Sequence, residues 1–292
     1  MVIATGFFDG VHVGHRQVLG QLVKEARARG EESMVITFWP HPRTVLQKDA
    51  RTLRLLTSLE EKKEIIQSLG VDRVEVLDFS REFSSLSCEQ YLRDVVKGRF
   101  GGSAVLLGYD NRIGSDCCSP DQAAQTASRL GLDVIRCDAV TDSAASAVSS
   151  TRIRAALEQG RVDAAGEMLG SLYRLRGVVV AGNQLGRTIG FPTANIHLYD
   201  PLKMVPGNGV YLVEVRVLGH NYYGMCNIGV RPTVGGSSRT IETNIFDFDE
   251  DIYGLDIRLS FVRKIRDERK YTGLDALKDQ LTIDKRDCLS MI

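Results

Sequence analysis

Two patterns of apolar and polar positions divide this chain. Over residues 1–140, short runs of valine, isoleucine and leucine alternate with stretches whose apolar residues recur at helical spacing. MVIAT (1–5), SMVITF (33–38), VDRVEVLDF (71–79), SAVLLGYD (103–110) and LDVIRC (132–137) read as strands. Residues 15–30 and 59–70 read as helices. In the first of them Val18, Leu19, Leu22, Val23 and Ala26 form one stripe, and Gly30 supplies the stop. Strand and helix in alternation predict right-handed crossovers and a parallel sheet covered on both faces.

Past Gly170 the pattern changes. Five apolar segments, beginning at residues 172, 209, 222, 240 and 255, follow one another across glycine-rich or polar turns without a helix between them. That succession predicts a small antiparallel barrel or sandwich. One helical pattern, residues 274–289, closes the chain, and two short helical pieces (151–159 and 162–169) lie between the halves. The expected division is therefore an α/β domain over 1–169 and an all-β domain with a C-terminal helix over 170–292.

Composition changes this picture little. Of the 292 residues, 43% are hydrophobic and 25% charged, ordinary for globular domains and enough for two cores. Lys plus Arg equals Asp plus Glu at 37 each, so no overall field draws the chain to nucleic acid or a membrane, and any anion site must be local. The four apolar residues before Gly6 are too few for a signal peptide or a membrane span. The six cysteines show no metal-ligand spacing, which points to reduced thiols and a cytoplasmic protein.

The candidate chemistry begins at TGFFDGVHVGHRQVL, where a strand gives way to a helix and His12 and His15 stand three apart. A zinc site needs three or four ligands, and no further ligand pair lies near in sequence. A histidine could also cap the turn. The third use is phosphate binding: a strand, a glycine-bearing turn and a helix start expose backbone N–H groups at the carboxyl edge of a parallel sheet. His15 and Arg16 add donors in the first turn. A cation there is disfavoured by roughly 0.3–1 kcal/mol unless something negative binds. The same anomaly recurs at SSTRIRAALEQG, where Ser149, Ser150 and Thr151 suit an N-cap but Arg152 and Arg154 occupy the opening turn. One triphosphate between the two helix starts would satisfy both.

GFFDGVHVGH followed by SSTRIR resembles nucleotidyltransferases of the HxGH type. With TFWPHPR, LTSLEEKKEII and FSREFSSLSCEQYL between them, residues 1–169 look like the FAD synthetase module of the bacterial bifunctional riboflavin kinase/FAD synthetase family, with a Rossmann-like sheet. LGRTIGFPTANI, GMCNIGVRPTV, IETNIFDFDEDIYG and RDERKYTGLDALKDQL resemble its riboflavin kinase module, a β-barrel. The resemblance implies two reactions. The first domain transfers AMP from ATP to FMN, giving FAD and pyrophosphate; the second phosphorylates riboflavin to FMN. It implies ATP, riboflavin and FMN as small-molecule partners, and magnesium as the ion. His12 and His15 would then contact the ATP phosphates as hydrogen-bond donors, with Ser150, Thr151 and Arg154 at the β/γ end and Gly6 and Phe7 in close backbone contact.

In the second half, Thr240, Glu242 and Asn244 share one face of a predicted strand. A carboxylate there could accept the proton of an attacking hydroxyl, and the family's proposed base falls on Glu242. The bland reading pairs Glu242 with Arg239 or Arg258. Thr193 and Asn195 of FPTAN lie on one side of an extended segment, and their neutral oxygens suit Mg²⁺ bound chiefly through ATP. The family uses this threonine and asparagine in that way. GNQLGRTIG, with Gly182, Leu185, Gly186 and Gly190, looks like a flexible flap over the nucleotide and lacks the lysine of a P-loop. The acidic DFDEDIYG fits no EF-hand and reads as a solvated hairpin tip.

The chain departs from the family at NRIGSDCCSP. Asn111 and Ile113 stand where an aromatic pair is usual, and Asp116, Cys117 and Cys118 occupy a loop that is usually basic. If that loop meets flavin or pyrophosphate, adenylyl transfer is weakened, which leaves a riboflavin kinase with a degenerate first domain as the alternative. Another HxGH adenylyltransferase fused to an unrelated barrel, and a flavin carrier without turnover, are further readings. The chain also begins directly on its first strand where relatives carry a short lead-in, so Met1 is expected to be a late start.

Overall fold

The computed structural model describes residues 1–46, 52–108, 112–137, 147–182, 184–233 and 236–292. Asn111, one of the departures from the family pattern, lies outside them. The chain forms two compact units, Met1–Ser150 and Thr151–Ile292.

The first unit is built on β1 (Val2–Thr5), α1 (Val13–Arg29), β2 (Ser33–Trp39), α2 (Leu59–Ser68), β3 (Arg73–Asp78), β4 (Ala104–Leu107), α3 (Pro120–Arg129) and β5 (Asp133–Arg136). Its five strands pair in parallel in the order β3-β2-β1-β4-β5. The order reverses at β1 and β4, and the carboxyl end of such a switch point is where α/β sheets bind ligands. Both faces are covered, as expected. Val2, Ala4 and Val35 pack with Leu19, Leu22 and Ile66 on one side. Ile3, Met34 and Ile36 pack with Tyr91, Leu92 and Ala123 on the other.

The sequence periodicity missed two helices on that second side, the segment 88–99 and α3. The buried face of α3 is Ala123, Ala124, Thr126 and Ala127, too small and too polar to stand out as an apolar stripe. Its start signal was present: Ser119 forms a capping box with Gln122, and Pro120 follows.

The second unit opens at Thr151, within α4 (Ser150–Glu158), and α5 (Val162–Leu169) follows. It continues through β6 (Tyr173–Val180), β7 (Ala194–Leu198), β8 (Gly209–Val217), β9 (His220–Thr233), β10 (Gly236–Ile245), β11 (Asp256–Arg266) and α6 (Leu274–Leu289). The strands close into an antiparallel barrel in the order β10-β7-β6-β11-β8-β9. Closure removes every exposed sheet edge. Compactness divides the chain after Ser150, not after residue 169 as the sequence pattern suggested. α4 and α5 bury Ile153, Ala156, Leu157, Val162, Ala165 and Leu169, and α5 packs on β6 and β11. The Leu157 carbonyl also accepts from Gly207 N at 2.8 Å. α6 is fastened to β11 by a buried ion pair, with Arg266 donating to both Asp284 oxygens at 2.7–3.1 Å.

Candidate active sites

In the first unit the turn from β1 to α1 runs through unusual backbone. Phe8, Gly10 and Val11 have φ of 52°, 83° and 41°. For a β-branched valine this conformation costs on the order of 1–3 kcal/mol, so its surroundings must impose it. The buried Asp9 carboxylate accepts from Leu56 N at 2.9 Å and Thr57 N at 3.2 Å, and Gly10 N donates to Thr57 Oγ1 at 3.1 Å. Lys62 Nζ donates to the Phe7 carbonyl at 2.9 Å and to Thr37 Oγ1 at 3.0 Å, and lies 4.0 Å from the centre of the Phe7 ring. Gly6 presses against the Phe8 ring, where an added Cβ would come within 3.2 Å.

His12 caps α1: its Nδ1 accepts from His15 N at 3.4 Å. Capping through Nδ1 places the ring proton on Nε2 and leaves that N–H as a donor. The two imidazoles stack at 3.7 Å, and the edge of His15 meets Phe8 at 5.2 Å. His15 Nδ1 is buried with no hydrogen-bond partner, an orphan that a ligand oxygen would satisfy. Burial lowers His12 to about 4 and holds His15 well below the usual imidazole value, with the charges of His12 and Lys62 as lesser causes. Both rings are thus neutral at pH 7. The imidazoles therefore bring no charge to this helix start, and its cation is Arg16, whose Nε donates to the Val11 carbonyl at 3.1 Å.

Ser150, the last residue of the first unit, donates its hydroxyl proton to the Asp9 carbonyl at 2.9 Å. On α4, Thr151 is exposed and Arg154 half-buried. Asp9 and Lys62 were not singled out from sequence. Only the position of Lys62, four residues before Ile66 on the buried face of α2, hinted at its place.

In the second unit, two clefts meet around β10 and the segment before β7. One, of about 390 Å³, is lined by Gln184, Arg187, Thr193, Thr243, Asp249 and Tyr253 among others. The other, of about 240 Å³, is lined by Thr193, Thr240, Glu242, Asn244, Met225 and Leu281 among others. The strand alternation expected for RTIETNIF is observed: Thr240, Glu242 and Asn244 face one cleft while Thr243 and Ile245 face the other. Glu242 lies directly opposite Asn195 on β7 and Asn227 on β9, which places the three side chains on one side of the sheet. Asn244 Nδ2 donates to the Pro192 carbonyl at 2.7 Å and so holds the Thr193 segment. Arg239 donates to the Val205 and Pro206 carbonyls and to Asn208 Oδ1, and Arg258 lies on β11 in register with β6 and β8.

The flap contains a helical turn, Leu185–Thr188, after Gln184, whose Nε2 donates to the Tyr253 hydroxyl at 3.4 Å. Gly182 is required by its neighbour, because an added Cβ would lie 2.2 Å from Asn195 Nδ2. Gly186 has the same constraint against the Phe191 carbonyl, at 2.2 Å, while Gly190 adopts φ 85°. Leu185 is exposed at the flap surface. The acidic stretch 247–251 joins β10 to β11, and its Asp249, Glu250 and Asp251 rim the larger cleft. Among the described residues no three His, Cys, Asp or Glu side chains gather as a metal cluster. All six cysteines are free, and burial pushes Cys88, Cys226 and Cys288 up to about 12.

Comparison with known proteins agrees with both halves. Residues 1–152 match the family model for FAD synthetase and residues 169–292 that for riboflavin kinase. The bifunctional riboflavin kinase/FMN adenylyltransferase of Bacillus subtilis is 37% identical, covering 99% of this chain and 91% of that protein. Its counterpart in Escherichia coli K12 is 36% identical over 97% and 90%. A crystal structure described as a macrolide-efflux protein from Streptococcus pneumoniae is also similar, with TM-score 0.91 and 34% identity over 98% of this chain and 92% of that one. Among the described residues no helix is long and apolar enough to cross a membrane. The match over the first half sets aside the kinase-only alternative. Both modules are present in one chain in the order found in its relatives, and the chain belongs to the bifunctional riboflavin kinase/FMN adenylyltransferase family.

Proposed function

We propose that the two reactions of this bifunctional enzyme use two separate sets of side chains. In adenylyl transfer, a phosphate oxygen of FMN attacks the α-phosphorus of ATP, a new P–O bond forms, and the bond to the leaving pyrophosphate breaks. The nucleophile is already anionic, so the site needs alignment and donors rather than a base. His12 supplies its Nε2 proton to the ATP phosphates, and His15 beside it supplies a second donor. Charge growing on the leaving group favours both hydrogen bonds as the bond breaks. Gly6 and Phe7 supply close backbone contact, with the Phe7 carbonyl held by Lys62. Thr151 and Arg154 serve the β/γ end. The Ser150 hydroxyl proton is committed to Asp9, so Ser150 contributes through its backbone N–H. On this assignment the adenylyl-transfer module runs to residue 169 and the kinase module from 170, although the compact units divide earlier.

In the kinase half, Glu242 accepts the proton of the riboflavin 5′-hydroxyl as that oxygen attacks the γ-phosphorus of ATP, and ADP leaves. The carrying observation is that Thr193 lines both clefts, while Glu242 lines one and its chain neighbour Thr243 the other. The cleft with Met225, Leu277 and Leu281 suits an apolar flavin ring, and the cleft beneath the flap suits the nucleotide. Thr193 and Asn195 offer neutral oxygens beside Glu242, and the missing Cβ of Gly182 leaves the Asn195 amide its room. That donor set fits Mg²⁺ held mainly by ATP oxygens and water; the ion would offset phosphate charge. The reduced cysteines favour a cytoplasmic location.

Glu242→Ala should abolish FMN formation from riboflavin while leaving conversion of FMN to FAD measurable by chromatography. The His15→Ala, Arg154→Ala double variant should do the reverse. If each folded variant impaired both reactions equally, the two-site assignment would be wrong.

A further inference from the structure

On the outer wall of the barrel, the registers of β6, β11 and β8 bring three arginines into one row. Arg258 on β11 stands directly opposite Arg176 on β6 and directly opposite Arg216 on β8. The alternation that turns Leu175, Leu259 and Val215 inward turns all three arginines outward. Directly opposed side chains have Cβ atoms about 4.5–5.5 Å apart, so the three guanidinium groups stand close enough to share one anion.

The row also lies in a concavity. Arg176, Arg216 and Arg258 line a cleft of about 390 Å³ together with Tyr199, Leu218 and Leu255, all three exposed. Asp256, the carboxylate in the cleft, accepts from the Tyr199 hydroxyl. Leu218 adds a second, independent anomaly. It forms the β8–β9 turn with Gly219, both at positive φ (53° and 82°). Asparagine or glycine normally fills such a position, and an exposed leucine there is strained. None of these residues lines either cleft of the kinase site.

We propose that this outer cleft binds a phosphorylated small molecule with an aromatic body. Guanidinium groups grip the phosphate through paired N–H donors, and Tyr199, Leu218 and Leu255 receive the ring. A cleft of this volume holds a nucleotide-sized ligand rather than a bare ion. FMN and ADP, both products of this enzyme, share that chemistry, so each is a probe.

The test is calorimetric titration of the full chain with FMN and, separately, ADP, comparing wild type with the Arg216→Ser, Arg258→Gln double variant. Wild type should take up one more equivalent of at least one probe, with affinity at that site reduced tenfold or more in the variant. Kinase turnover should be unchanged. Single Arg216→Ser, at an exposed position, should show the same loss in part. Equal stoichiometry and affinity in wild type and variants would overturn the proposal. A lowered melting temperature with unchanged binding would do so too, assigning the arginines to the wall itself. So would uptake of poly-glutamate at this cleft with neither FMN nor ADP bound there.

Discussion

His12 combines two uses that seemed to compete. Its Nδ1 closes the start of α1 and its Nε2 keeps an N–H to donate, so capping and the proposed phosphate binding are compatible in one ring. The cost appears on acidification. The unfolded chain takes up the proton near pH 6.5, but burial holds His12 near 4 in the fold. Stability from the neutral ring is complete above 6.5 and is lost as pH falls toward 4, reaching about 3 kcal/mol. The urea midpoint should therefore fall between pH 6.5 and 4.5, and fall less in His12→Asn, which keeps a capping oxygen. Lys62 works from beneath the same turn. Lys62→Met would leave the Phe7 carbonyl without its ammonium donor, and adenylyl transfer should slow by about tenfold or more with kinase turnover unchanged. The His12 cap was legible because its partner His15 lies three residues on, and the face of Glu242 because strand alternation is local. The contacts of Asp9 and Lys62 were not, because their partners lie 25–55 residues away.

At the scale of elements, β10 carries the proposed kinase site. Its period of two sends Glu242 to one cleft and Thr243 to the other, an arrangement readable from RTIETNIF before any fold is known. The flap shows the complement. Its glycines were legible as a loop, but the reason for Gly182 is the Asn195 amide, which arrives only when β6 and β7 pair. Gly182→Ala would push that amide away. The KM for ATP in the kinase reaction should rise at least fivefold, measured at saturating riboflavin, with FMN-to-FAD conversion unaffected. α3 escaped the periodicity because alanines serve as its buried face, whereas α1, with leucine and valine there, was read to within two residues.

For the whole molecule, α6 depends on one buried ion pair. Removing a single partner leaves an uncompensated charge, and Asp284→Ala should destabilise the barrel by about 3–5 kcal/mol. Differential scanning calorimetry should show one transition moving down, with riboflavin phosphorylation failing at a temperature where FMN-to-FAD conversion persists. The chain's own pattern determined the two architectures, the glycine-bearing turn and the face of β10, since period, turn chemistry and capping act over a few residues. Only the tertiary structure decided that α4 and α5 pack with the barrel, that burial keeps both imidazoles neutral, and that Arg176, Arg258 and Arg216 stand in one row. Burial and strand register depend on residues far apart in sequence, and local periodicity carries no record of them.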